Sequence, residues 1–249
     1  MVNRQHLETY LQQLLSVELF KDYGPNGLQV EGKPEIHKVV SGVTASLALI
    51  NAAVEERADA VLVHHGLFWR GQDGRVTGWM KKRLSTLLAH DINLLAYHLP
   101  LDAHPQWGNN VQLGHQLGWT VSGRFGEQQL GCMASLPSPT GLDQLAAQIE
   151  QALRHAVVAI AGDGRALRQV AWCTGGAQSY FEAAIAAGAD VFVTGEISEP
   201  QAHYAREAGV AYLACGHHAS ERYGARALGD HLAAQFGLQH VFIDIDNPA

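Results

Sequence analysis

The chain has 249 residues, 47% of them hydrophobic and 16% charged, with 26 glycines and a formal net charge of −7. That composition excludes a disordered or fibrous protein, and the scattered Lys and Arg residues argue against a basic nucleic-acid surface. Its length suffices for two domains with cores of their own.

From the N-terminus, residues 4–16 carry helical spacing (Leu7, Tyr10, Leu11, Leu14, Leu15), and the polar turn KDYGPNG follows. Then the pattern changes. HKVVSGV (37–43), DAVLV (59–63) and INLLAYHL (92–99) read as buried strands, separated by helices over 46–57 and 79–90. This is βαβαβ, the signature of a parallel sheet with crossover helices. A helix over 109–117 comes next, and residues 122–167 read as a strand, a Pro-rich turn and a helix. The βαβαβ pattern then returns as QVAWC, SYFEAAIAAG, DVFVTG, PQAHYAREAG and VAYLAC. A long helix from His217 to Phe236 and the strand HVFIDID close the chain. Cys132, Cys173 and Cys215 form no CxxC pair, which argues against disulfides and a thiolate zinc site. The first fifteen residues are too polar for a signal peptide, and no run approaches the ~20 apolar residues of a membrane span. A soluble, cytoplasmic protein with no membrane partner is expected.

At an offset of 131, residues 38–65 match 169–196 element by element, with identities that include Ala58/Ala189 and Asp59/Asp190. At an offset of 119 the third strands align, placing His98 on His217 and Asp102 on Glu221. The fold class is therefore α/β, two similar βαβαβ-based domains related by internal duplication, expected over 1–125 and 126–249.

Ligands of parallel sheets bind at the carboxyl ends of the strands, where His64, His65, His98, Asp102, His217, His218 and Glu221 fall. Adjacent residues of a regular strand point to opposite faces, so His64 and His65 converge only if the strand has ended, with Gly66 supplying the turn. His217 and Glu221 are four apart and share a helical face that continues through Leu228, Leu232 and Phe236. His218, one step around, could also reach; spacing leaves the choice open. A carboxylate at the head of that helix would be favoured by the helix dipole, which marks Glu221 as the bridge between two ions. Imidazole and carboxylate without thiolate suit Zn, Mn, Fe, Co or Ni, and His64, His65, Asp102, His217 and Glu221 make five candidate ligands, more than one tetrahedral ion uses. The bland alternative is a set of separately satisfied polar groups at strand ends, and the ensemble favours metal over it. Gly175-Gly176 lacks the spacing of a phosphate-binding loop and reads as a plain turn. Phe68 and Trp69, beside the HHG turn, could wall a substrate pocket; Glu196 is a candidate support for a ligand.

GVTAS, HHG, YHLPLD, TGE and GHHASE, in this order and spacing, resemble the Nif-three-like family, whose members are often labelled GTP cyclohydrolase 1 type 2 homologues. The resemblance implies a three-layer α/β/α architecture in two domains, a dinuclear divalent-metal centre between them and a toroidal homohexamer. It carries the metal ligands onto His64, His65, Asp102, His217 and Glu221, and so selects His217 over His218. The family often has Asp-Asn-x-Gly-Leu near its start, whereas GPNGLQV keeps Asn26, Gly27 and Leu28 with one residue fewer between.

Two functions follow as expectations. The leading one is a metal-dependent hydrolase acting on a nucleotide or related heterocycle, with His98 orienting a ligand or shuttling a proton. The family label points to the guanine ring of GTP. The alternative is a non-catalytic metal-binding scaffold or regulator, whose site would be closed by protein ligands.

Overall fold

The structure, a computed structural model, describes residues 1–249. The chain forms two compact units, Met1–Gly108 with Gly224–Asp246, and Asn109–Tyr223 with Asn247–Ala249. This division differs from the expected cut at residue 125. The strand Gln239–Phe242 pairs in parallel with Lys38–Thr44, and Ala225, Leu228 and Leu232 share a core with Val39, Leu62 and Leu95, so the last helix and strand belong to the first unit. The helix Asn109–Gln116 goes the other way: Leu113 packs with Trp119 and Trp172, and Trp172 Nε1 donates to the Asn110 carbonyl at 2.8 Å.

The first unit holds a five-stranded sheet in the order Gln239–Phe242, Lys38–Thr44, Ala60–His65, Asn93–Ala96, Gly27–Val30. Only the last of these runs antiparallel to its neighbour. The pleat sorts side chains by parity. Val39, Ala60, Leu62 and Leu95 face the helices Arg4–Leu14 and Gly224–Phe236, while Val40, Val61, Val63 and Leu94 face Leu47–Glu55 and Gly78–Ala89. That is the expected α/β/α layering. Both faces are dry enough that Leu62→Ala would cost about 2–5 kcal/mol. The first helix starts where Asn3 accepts from the Gln5 and His6 amides, and Leu47–Glu55 starts where Ser46 accepts from Leu49 N.

One relay in this unit has the residue order of a hydrolytic triad. Ser41 Oγ lies 2.7 Å from His240 Nε2, and His240 Nδ1 lies 2.8 Å from Asp230 Oδ1. Ser41 is fully buried in mid-strand, so no substrate can reach it. The relay instead ties the last helix and strand to the Lys38–Thr44 strand.

The second unit holds a six-stranded sheet in the order Gly123–Phe125, Gly131–Thr140, Leu167–Trp172, Val191–Thr194, Ala211–Ala214, Val158–Ile160. The expected Pro-rich turn is part of the long strand Gly131–Thr140. Pro137 and Pro139 are tolerated there because the ladder to Leu167–Trp172 is irregular opposite them, and Gly123–Phe125 pairs only as far as Met133.

The duplication is visible in hydrogen bonds as well as strand order. Each unit has three sequential parallel strands, with an earlier strand added antiparallel beside the third. Asp59 Oδ2 accepts from the His37 and Lys38 amides, and Asp190 Oδ2 accepts from the Arg168 and Gln169 amides, a match at offset 131. Arg57 (φ 54°) and Gly188 (φ 86°) hold the same left-handed position before it. The third strands, however, match at 118 and not 119. Tyr97 N donates to Val63 O, and Cys215 N donates to Thr194 O. His98 therefore corresponds to Gly216 and Asp102 to Ser220, so the apparent His-x-x-x-carboxylate repeat is a coincidence of sequence.

Candidate metal centre

In the first unit, the Ala60–His65 strand carries both histidines to its end. The strand does not stop before them, contrary to expectation. Pairing to Asn93–Ala96 ends at Val63, while on the other side His65 pairs with Thr44 and its carbonyl accepts from Ala45 N at 2.8 Å. Freed on one edge, the two rings approach to 4.6 Å between centroids, tilted by 45°. Gly66 does not serve by a left-handed turn. Its missing side chain makes room for Gln29, whose amide would lie 2.3–2.6 Å from a Cβ there and whose Oε1 accepts from Leu67 N.

Each ring is anchored through Nδ1. His64, fully buried, donates Nδ1–H to the Tyr97 carbonyl at 3.1 Å, and His65 Nδ1 is hydrogen-bonded to Thr44 Oγ1 at 3.1 Å. Because a carbonyl only accepts, the neutral His64 ring keeps its lone pair on Nε2. That atom faces Asp102 Oδ1 at 3.5 Å. Two electron-rich atoms set against each other in a buried place call for a cation between them. Asp102 sits in the short helix Leu99–Ala103. His98 joins the group, its ring 4.9 Å from His64 and 5.6 Å from His65, and donor atoms of these three histidines lie within 4.8 Å of one another.

His98 has its own support in the KDYGPNG turn. Asp22 Oδ1 takes His98 Nδ1 at 2.7 Å and Tyr23 N at 2.6 Å; Oδ2 takes Leu99 N at 2.9 Å and Asn26 Nδ2 at 2.8 Å. Burial opposes charge on this carboxylate, but the His98 hydrogen bond and charge, with Asn26 and Tyr23, outweigh it and bring its pKa down to about 2. Asn26 completes the support by accepting from His98 N at 2.7 Å. The shortened motif thus retains a role for Asn26. Asp22 was missed because its only sequence signal was its place in a polar turn.

In the second unit, His217 opens the short helix His217–Glu221 and Glu221 closes it. The expected long helix is broken at Arg222 and Tyr223, and a new helix begins at Gly224. Glu221 is therefore at a helix C-terminus, where the dipole does not favour it, and the face shared with Leu228 and Leu232 does not exist. The i,i+4 pairing does: His217 Nε2 lies 3.1 Å from Glu221 Oε2, while Nδ1 lies 2.6 Å from Glu196 Oε1. This makes Glu196 the group that orients His217. Burial works against a charged His217, but the Glu221 and Glu196 carboxylates overcome it and raise its pKa to about 9. The same carboxylate field would hold a divalent ion in place of that proton. His218 is buried, and its amide donates to the Ala249 carbonyl at 3.0 Å.

The turn after Leu167–Trp172 is more than the plain turn expected of Gly175-Gly176. Gly175 has φ 68°, and a Cβ there would stand 2.0 Å from Glu221 Oε1 and 3.1 Å from His217 Nε2. Its amide donates to Ser220 Oγ at 3.0 Å and its carbonyl accepts from Thr194 Oγ1 at 3.0 Å. Only glycine combines that backbone angle with that proximity.

Fold and donor chemistry define a two-unit α/β protein whose strand ends carry anchored histidines facing carboxylates, a set that fits hard or borderline divalent ions. The family model for DUF34/NIF3 (NGG1p interacting factor 3) matches residues 2–248, and the chain belongs to that family. It is 52% identical over 249 residues, the full length of both chains, to a Neisseria meningitidis protein named GTP cyclohydrolase 1 type 2 homolog. Among solved structures it is similar to protein ybgI, described as of unknown function (47% identity, TM-score 0.96, all of both chains), and to TTHA1606 from Thermus thermophilus (35% identity, TM-score 0.91, all of both chains). No helix is long and apolar enough to cross a membrane.

Proposed function

We propose that the protein is a divalent-metal-dependent hydrolase that acts on a nucleotide or related heterocycle, with two ions per chain held by His64, His65, Asp102, His217 and Glu221. The observation that carries this reading is the pattern of tied imidazoles. His64, His65 and His217 each have Nδ1 fixed by a separate partner, leaving Nε2 as the metal-binding nitrogen. When bound, two such ions make hydroxide available at neutral pH and polarise the bond under attack. Asp22 holds Nδ1–H of His98, so His98 Nε2 is the nitrogen that takes a proton or returns it to a leaving group. The name carried by the relatives suggests GTP as a first substrate to try. The reading includes a toroidal homohexamer, for which light scattering on the purified chain should return six copies.

The test is turnover of GTP and other nucleotides by Zn- and Mn-loaded protein, followed by chromatography. Metal-dependent product that disappears in His64→Ala supports the hydrolase. His98→Gln should keep the metal and lose turnover; loss of metal from that variant would make His98 a ligand. A protein that binds metal and turns over none of these substrates would be the scaffold of the alternative reading.

A further inference from the structure

A cleft of about 320 Å³ opens beside the three histidines of the first unit, between the 22–25 turn and the segment after HHG, with Asp22, Tyr23, Phe68, Trp69 and Arg70 in its wall. We propose that this cleft is the recognition site for one planar heteroaromatic ring bearing a phosphate, with Tyr23 and Trp69 gripping the ring and Arg70 the anion. The proposal rests on the reading above only in taking the neighbouring histidines as the reaction site.

Four observations carry it. The first is ring exposure. Tyr23 is 62% exposed although its ring abuts His98 at 6.2 Å, and Trp69 is half-buried with its ring 5.1 Å from His98 and 6.0 Å from His65. None of these contacts is a face-to-face stack, so aromatic surface is left for a flat ligand next to the site, where stacking on either side chain is favourable for any base. The second is rigidity. Arg70 N donates to Tyr23 O at 2.6 Å, and Arg70 Nη2 donates to Asp22 O at 2.8 Å. A Cβ on Gly24 would meet Phe68 O at 2.4 Å. The two walls are pinned together, which limits the ordering cost of binding.

The third is charge. Arg70 is exposed and forms no ion pair; its one side-chain hydrogen bond goes to a carbonyl, so its charge and remaining N–H groups suit a phosphate. The Asp22 carboxylate in the same wall keeps its negative charge, but its two oxygens are taken up by four donors of the protein, and Arg70 is the group that presents unused N–H donors to the ligand. The fourth is size. The cleft is shallow and open to solvent, and its volume of about 320 Å³ leaves room for one ring and its phosphate.

The experiment is a calorimetric titration of the full chain with GMP, AMP, CMP, UMP, guanosine and inorganic phosphate, repeated on Trp69→Leu, Tyr23→Leu and Arg70→Gln. At least one monophosphate should bind more tightly than both guanosine and phosphate. Trp69→Leu should weaken monophosphate and nucleoside alike by tenfold or more, with Trp69→Phe restoring most of the affinity. Tyr23→Leu, at an exposed position, should do the same without a folding penalty. Arg70→Gln should reduce the monophosphate to nucleoside-like affinity and leave guanosine unchanged. Binding is read without turnover, so a protein that binds as stated but hydrolyses nothing would sink the hydrolase and spare the cleft. The proposal is overturned if no monophosphate binds, or if the aromatic and Arg70 variants bind like wild type.

Discussion

Replacing Gly175 by alanine adds one carbon at the most crowded point of the second unit's donor set. The new Cβ would stand 2.0 Å from Glu221 Oε1, well inside contact distance, and the position requires φ 68°. The backbone strain alone is about 1–2 kcal/mol for a residue with a side chain. In a chain of this size that lowers the melting temperature by roughly 2–8 °C. Glu221 must also move, and with it the partner of His217 Nε2, so divalent-ion affinity should fall by about 10–100-fold or more. Gly188→Ala separates the two effects: it sits at φ 86° with nothing within 4 Å of its Cβ. It should show the strain and none of the metal loss. Calorimetric melting of chelator-treated protein reads the strain, and competition against a metal-binding dye reads the affinity. If Gly175→Ala binds ions like wild type while melting like Gly188→Ala, Glu221 is not a ligand and the role given to this turn is wrong.

Glu196→Gln keeps the shape that orients His217 but removes a charge, and should weaken ion binding about 10–100-fold in the same dye assay with little change in melting. Ser41→Ala cuts the relay to His240, and should cost about 1 kcal/mol in denaturant unfolding without altering ion binding or turnover. Asp59 is opposed by burial, but Lys33 and the His37 and Lys38 amides hold its pKa below the usual 3.8. A folded-state pKa below the unfolded one stabilises above 3.8 and fades as pH falls through the folded value, so Asp59→Asn should lose stability at pH 6 and flatten the acid limb below pH 4 in urea melts.

Much of this was readable from periodicity. The two βαβαβ runs, their order and the α/β/α layering follow from apolar strands buried on both faces, as in Val39 to Val43 and Ala60 to Val63, alternating with helices of mixed polarity. The donor residues were visible because His64 and His65 end a strand, and His217 and Glu221 follow soon after another, where polar residues interrupt apolar runs. What was not legible depended on contacts distant in sequence. The return of residues 224–246 to the first unit is decided by strand pairing with Lys38–Thr44, and nothing local in HVFIDID announces its partner. The break at Arg222 and Tyr223 interrupts an otherwise helical pattern. Gly175 looks like any turn glycine until Glu221 is found against it, and Asp22 looks like any turn acid until His98 is found on it.

Elemental analysis of the gently purified protein reads out the proposed two-ion centre of His64, His65, Asp102, His217 and Glu221. About two divalent ions per chain are expected, falling steeply when His64 and His65 are replaced together. Less than one ion per chain after reconstitution with Zn or Mn, or an undiminished content in the double variant, would contradict it.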